Sequence, residues 1–366
     1  MSLETFAQVA RRINEHAATH NLESVEIVFH GGEPFLLPLD YLDEACQIVR
    51  INTPDTKVLF RIQSNVTMFD QSTLDFCLKW QFLLGTSIDG PKEATDRHRI
   101  DHQKRSSYDA VLKALQLLST DDGRKVWSGI LSVIDLRNDP IETYDFLRSW
   151  SPPSIEFLLP LGHYDLLPPG KNDRKYSYGS RVMLPMFDFD GEADLGPTPY
   201  ADWLIEIFNQ WYRDKSQRVV IRRFKDIIAL MLHGNRSSEE WGLQPVDFAV
   251  VETNGDIQAV DTLKVTYSGA NHLGLNVFEH SFDDMFESPL VRERQNRWSK
   301  LCTTCKQCNL MPVCGGGYFP HRYSSANGFD NPSIYCDDLK KLLHTVHSAV
   351  AADLLKIRGR LPTATS

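Results

Sequence analysis

Val25-Glu26-Ile27-Val28-Phe29-His30-Gly31-Gly32-Glu33-Pro34 is the stretch on which the fold turns. Branched and aromatic residues over 25–29 favour a strand. The two glycines and the proline then stop it and leave polar groups at its C-terminal end. Before it, Phe6, Val9, Ala10, Ile13 and Ala17 recur at helical spacing and predict an amphipathic helix over 3–19. After it the same alternation continues. Helices are predicted over 40–51, 70–79, 107–119 and 140–150, and extended segments over 57–63, 82–88, 127–134 and 155–159. Strands alternating with helices of this length predict βα units and a parallel sheet or barrel, here an incomplete one over residues 1–160. The series opens on a helix, so the strand expected to precede it is missing.

Three strand ends carry small polar groups. They are His30-Gly31-Gly32-Glu33-Pro34, Gln63-Ser64-Asn65 and Ser87-Ile88-Asp89-Gly90-Pro91. In β/α barrels that rim builds the active site. Glycines admit a ligand close to the backbone, and a carboxylate can receive an ammonium group. The plainer alternatives are a simple Gly-Gly turn, with Asn65 and Asp89 capping loops and helices.

Residues 161–198 are rich in Pro, Gly and Asp and read as a long loop. His163, Tyr164 and Asp165 at its start are either solvated or channel-lining, with solvation the favoured reading. A helix follows whose Tyr200, Trp203, Leu204, Ile207, Phe208 and Trp211 form a core-facing stripe. Asn254-Gly255 supplies the tight turn of a hairpin over 248–260. A final helix is predicted over 337–357, and residues 358–366 should fray.

Five of the seven cysteines lie near the C-terminus, in Cys302-Thr-Thr-Cys305-Lys-Gln-Cys308-Asn-Leu-Met-Pro-Val-Cys314-Gly-Gly-Gly and at Cys336. Four thiolates suit an iron–sulfur cluster or a zinc ion. Cys46 and Cys77 sit on amphipathic helices and read as core thiols. The net charge of −9 and the pI near 5.7 argue against nucleic-acid or anionic-membrane partners. No apolar run suits a bilayer span, and Glu4, Arg11 and Arg12 interrupt any secretory signal. Thiol clusters without such a signal point to the cytoplasm.

The rim segments and the cysteine loop together resemble the radical S-adenosylmethionine (SAM) enzymes that carry a C-terminal SPASM domain. Within that group the chain is most similar to maturases that build cyclophane cross-links in ribosomal peptides. The likeness includes Val250–Lys264, Cys314-Gly-Gly-Gly-Tyr-Phe-Pro-His321-Arg322-Tyr323 and Gly328–Cys336. It implies a partial β/α barrel over 1–160, loop and connecting helices over 161–239, and a SPASM-type domain over 240–357. By that resemblance Gly31, Gly32 and Glu33 would hold the aminoacyl end of SAM. Ser87 and Asn65 would lie near its ribose and methionyl groups, and Leu159, on the last barrel strand, near adenine. Cys305, Cys308, Cys314 and Cys336 would hold one auxiliary [4Fe–4S] cluster, with Cys302 a spare. Tyr318 and Asp261 occupy positions where the family often has further cysteines. The implied partners are a ribosomal precursor peptide and an electron donor such as flavodoxin or ferredoxin.

The family's Cys-x3-Cys-x2-Cys run does not occur in the sequence. The expectation is therefore an N-terminally truncated maturase, inactive by itself, whose strand 25–29 is left as an apolar edge. The alternatives are a catalytically inactive cluster-bearing partner protein and a structural zinc module.

Overall fold

The computed structural model describes residues 1–101, 103–171, 198–214, 216, 219–236, 238–295 and 298–358. Helix α1 (Leu3–His20) leads into β1 (Ser24–Phe29), α2 (Leu39–Asn52), β2 (Lys57–Ser64), α3 (Gln71–Trp80) and β3 (Leu83–Ser87). Next come α4 (Lys92–Asp96), α5 (Tyr108–Leu118), α6 (Asp121–Val126), β4 (Trp127–Val133), α7 (Pro140–Ser149) and β5 (Ser154–Leu158). Then α8 (Pro199–Arg213), β6 (Val220–Ile221) and α9 (Arg222–Met231) close the α/β part. The elements expected from periodicity are present, with ends shifted by one or two residues.

Strands β1 to β6 form one parallel sheet in chain order. The register runs from Ser24 opposite Lys57 to Ile155 opposite Ile221. Each strand returns beside its predecessor through a helix, so all the C-terminal strand ends share one rim. Two features were not read from the sequence. The sheet does not end at residue 159, because Val220–Ile221 adds a sixth strand beyond β5. Two residues are too few to show an alternation, and only pairing identifies them.

The second difference concerns β1. It is an edge strand, yet Val25 and Ile27 pack against an apolar cluster of Ile13, Ile257, Val277, Phe282, Met285 and Val291. Only Val28, 51% exposed, is an open large apolar side chain there. The expected apolar edge is thus largely covered by C-terminal residues. Helix α1 serves both sides, with Ala10 and Phe6 in the main core and Ile13 and Val9 in this second cluster. Ser2 caps it by accepting from the Thr5 N–H at 3.0 Å.

The C-terminal region contains β7 (Val250–Val251), β8 (Asp256–Gln258) and β9 (His272–Asn276), an antiparallel sheet. The Asn254-Gly255 turn joins the first two, as expected. Short helices α10 (Phe282–Glu287), α11 (Pro289–Gln295), α12 (Thr303–Lys306) and α13 (Met311–Cys314) precede the long α14 (Cys336–Arg358). The aromatic stripe of α8 is buried in the main core together with Leu339, Leu342, Leu343 and Val346 of α14. Burial of such side chains contributes roughly 1.5–3 kcal/mol each. Asp338 of α14 accepts from the Tyr200 and Ala201 N–H groups, both at 3.0 Å, and pairs with Lys171. A carboxylate there satisfies the open donors of the first turn of α8. Most of the expected loop, residues 172–197, and the tail 359–366 lie outside the described residues.

Candidate functional site

The rim is built around Glu33. It follows β1 and caps a short 3-10 turn (Pro34–Leu36), its Oε1 accepting from the Phe35 N–H at 3.2 Å. Ser64 Oγ donates to the same oxygen at 2.7 Å, and the Asn65 N–H donates to Oε2 at 2.8 Å. One carboxylate thereby joins the ends of β1 and β2. On the next strand, Gln63 Nε2 donates to Ser87 Oγ at 2.9 Å, linking β2 to β3. Gly31 and Gly32 are exposed, and a Cβ on either would meet nothing within 4 Å. Gly31 needs its glycine for another reason, a φ of +101°.

The rim therefore brings together Gly31, Gly32, Glu33, Asn65 and Ser87, with Gln63 and Ser64 of the same strand-end segment supplying bonds that were not assigned to them from sequence. Alternation along β2 could have found Gln63, which is half-buried between the buried Ile62 and Ser64. Asn65 Oδ1 accepts from the Thr67 N–H and hydroxyl at 2.9 and 2.7 Å, which makes it a turn-former as well. Asp89 organises its loop. It is 5% exposed, receives Arg99 through two bonds at 2.6 and 3.1 Å, and accepts the Val133 N–H at 2.9 Å. Leu159 stands apart, two strands beyond β3 and buried in the main core.

His163 is buried and Tyr164 half-buried rather than solvated, while Asp165 is exposed as the favoured reading had it. His163 is 4% exposed, with Nε2 3.0 Å from the Val265 carbonyl and Nδ1 accepting the Asp165 N–H. Tyr164 donates its hydroxyl to Pro332 O at 3.0 Å, and Asp165 accepts the Ser325 N–H at 2.7 Å. Tyr335 returns the tie by donating to Pro160 O at 2.7 Å. These bonds lock the chain just after β5 onto the segment that leads to Cys336. Sequence could not show this, because every partner is over 100 residues away.

The cysteine cradle depends on backbone shape. Cys305 lies in α12, Cys314 ends α13, and Cys336 opens α14. Gly315, Gly316 and Gly317 follow with φ of 62°, 81° and 71°, turning the chain sharply after Cys314. A Cβ on Gly315 would lie 1.9 Å from the Gly242 carbonyl oxygen, so this turn admits no side chain. Burial raises the Cys336 thiol to about 12, with Cys314 and Cys308 adding to the rise. Cys305 is raised by its hydrogen bond to Cys302, by burial, and by Cys336 and Cys314. The same hydrogen bond holds Cys302 down to about 6. Burial works against the charge of Lys340, yet Cys336, Asp337, Cys308 and Cys305 outweigh it and raise that ammonium.

Cys336 thus lies within electrostatic reach of Cys305, Cys308 and Cys314, with the half-buried Lys340 beside it, and thiols are donors that fit a thiolate-bound cluster. Among the described residues, no three of the cysteine sulfurs lie within 4.8 Å of one another. Cys46 and Cys77 are fully buried in the main core, with thiols pushed up to about 12 by burial.

A second buried polar group lies under the C-terminal region. Arg223 of α9 donates to Phe157 O at 2.9 Å and to Glu240 at 2.7 Å, with Glu156 at 3.6 Å. His321 beside it is held neutral down to about 3, by burial first and by Arg223 second. No sequence period announces these charges. Among the described residues, no helix is long and apolar enough to cross a membrane.

Fold and rim together define an α/β protein with a parallel sheet and a polar surface at its strand ends. The comparisons agree with that class. No family model matches the chain. Over 327 residues it is 25% identical to the cysteine-type anaerobic sulfatase-maturating enzyme of Clostridium novyi, covering 87% of this chain and 79% of that one. The Clostridium perfringens cysteine-type enzyme is 26% identical over 341 residues, 92% of this chain and 84% of that relative. The serine-type enzyme of Bacteroides thetaiotaomicron is 23% identical, over 88% and 76% of the two chains. Among solved structures, native anSMEcpe with bound AdoMet and Cp18Cys peptide matches with a TM-score of 0.78 at 22% identity, over 98% of this chain and 92% of that one. The same protein with AdoMet and Kp18Cys peptide gives 0.76 at 23% identity, over 96% and 90%. The chain thus has the fold of these AdoMet-bound structures along nearly all its length.

Proposed function

We infer that the chain is a peptide-modifying protein of the radical SAM type with one auxiliary [4Fe–4S] cluster. The observation that carries this reading is the convergence of Glu33, Asn65, Gln63 and Ser87 at three neighbouring strand ends below the open Gly31-Gly32 backbone. Glu33 would receive the ammonium of SAM while Ser64 and the Asn65 N–H hold its carboxylate in place. The glycines would leave room for the methionyl backbone, and Ser87 would offer its hydroxyl to the ribose. Cys305, Cys308, Cys314 and Cys336 would hold the auxiliary cluster. SAM, when reductively cleaved in enzymes of this type, supplies a 5′-deoxyadenosyl radical that abstracts hydrogen. The sequence holds no Cys-x3-Cys-x2-Cys run. No initiating ligand is therefore assigned to any residue here.

The relatives mature sulfatases, in cysteine and serine types. That favours modification of a small side chain within a peptide segment over cyclophane cross-linking to an aromatic ring, which stands as the alternative for the same site. A cluster-bearing peptide-binding protein without catalysis is the second reading. The test is anaerobic reconstitution followed by iron, sulfide and zinc analysis, SAM calorimetry and mass spectrometry of incubated peptides. About four irons and four sulfides per chain with measurable SAM binding is the expected result. One zinc and no iron would overturn the cluster assignment. Iron without SAM binding would leave the binding-protein reading, and the mass change of any product separates side-chain modification from cross-linking.

A further inference from the structure

Far from the rim and from the cysteines in sequence, His16 and His20 lie one turn apart at the C-terminal end of α1. Residues i and i+4 share a helix face. Opposite them stands Asp283 in the first turn of α10. His16 Nδ1 lies 2.7 Å from Asp283 Oδ1 and His20 Nε2 lies 2.8 Å from the same oxygen. Two imidazole nitrogens, one from each histidine and of different type, thus aim at a single carboxylate oxygen. The rings are 4.4 Å apart. His16 is set by apolar packing, stacked on Phe286 at 5.8 Å and edge-on to Phe282.

Asp283 is held from its own side. Ser281 and Asp284 form a capping box that fixes the start of α10. The side chains of His16, His20 and Asp283 are 21%, 47% and 44% exposed, so the trio opens to water on one flank. Among the described residues it is the trio of His, Cys, Asp or Glu whose ligand atoms all lie within 4.8 Å of one another. Nearby Arg12 does not compete for the carboxylate, since it donates to Val277 O and Glu15.

We propose that His16, His20 and Asp283 form a structural site for a divalent transition-metal ion, zinc above all, that fastens α1 to α10. Two imidazoles, one carboxylate and a water complete a tetrahedral set. Ligands of one such ion stand about 3.3 Å apart for bonds near ~2.05 Å. Both histidine–carboxylate distances therefore need to open by only about half an ångström, which small rotations of the half-exposed Asp283 and His20 side chains supply. The bond would span the second apolar cluster, where α1 and β1 meet the residues around Ile257 and Phe282. Its effect is to clamp the N-terminal helix to the C-terminal region, without redox chemistry.

The test uses iron-reconstituted protein, so that the cysteines are occupied, titrated with Zn2+ against a chromophoric chelator and followed by thermal melting. The expected result is one zinc per chain and a melting temperature that rises with zinc concentration. His20→Ala, at the most exposed ligand, and the isosteric Asp283→Asn should each weaken binding at least about tenfold and abolish that rise. Co2+ at the site should give a spectrum without thiolate charge-transfer bands. Zinc affinity unchanged in both variants, thiolate bands with Co2+, or no binding at micromolar zinc would each overturn the site.

Discussion

The strand-end rim and the cysteine cradle achieve order by opposite means. The rim is an open surface whose groups satisfy one another: Glu33 is held by Ser64 and Asn65, and Ser87 by Gln63. Its positions follow from regular βα repeats, so each residue needs only its own strand end. In the cradle burial raises the Cys336 thiol, and three left-handed glycines and two helix ends set the backbone around it. Side-chain chemistry at the rim should therefore be separable from folding, whereas in the cradle it should not.

The sharpest way to break this contrast is Gly315→Ala. The new methyl would collide with the Gly242 carbonyl and would sit at a φ of +62°. A loss of more than ~4 kcal/mol in denaturant melts, with loss of bound iron, is expected. A variant that melts normally would mean the cradle is not backbone-determined. Within the cradle, Cys314→Ser should lose the iron while Cys302→Ser keeps it; equal iron in the two would refute the assigned ligand set.

At the rim, two carboxylates should behave differently. Asp89→Asn breaks a buried pair with Arg99 and should lower stability by about 2–3 kcal/mol, leaving SAM affinity within a few-fold. Glu33→Gln should cost less in stability but weaken SAM binding about tenfold or more, as loss of a charge-assisted bond would. If calorimetry and melting rank these variants the other way, the two roles are reversed.

The smallest effect concerns pH. An unfolded histidine takes up its proton near 6.5, whereas folded His321 resists it down to about 3. Between these values the unfolded chain binds more protons. The stability due to His321 is therefore full above pH 6.5 and falls as pH drops toward 3. From pH 6.5 to 5 the loss should be roughly 2 kcal/mol, and His321→Phe should flatten that slope in urea titrations. An unchanged slope would mean that His321 is protonated in the fold.

How much was legible follows from range. The α1–β5 series and the stripe of α8 could be read because 3.6- and 2-residue periods report which face is buried. The hairpin was legible from Asn254-Gly255 alone. Strand β6 was not, since two residues hold no period. Val25 and Ile27 were expected at an open edge, but residues some 230 positions later cover them. His163 was read as solvated because its partner, the Val265 carbonyl, lies on another element.

The sequence by itself determined the parallel βα order, the small polar groups at three strand ends, and the thiol-rich loop. Those are local properties, set by propensity, periodicity and residue chemistry. Only the tertiary structure decided that Ser64 holds the Glu33 carboxylate, that Gln63 donates to Ser87, and that Asp89 is a clasp. It also brought His16 and His20 to Asp283, across more than 260 positions. Such pairings depend on how apolar faces pack, and no local pattern in the chain encodes which distant face each one meets.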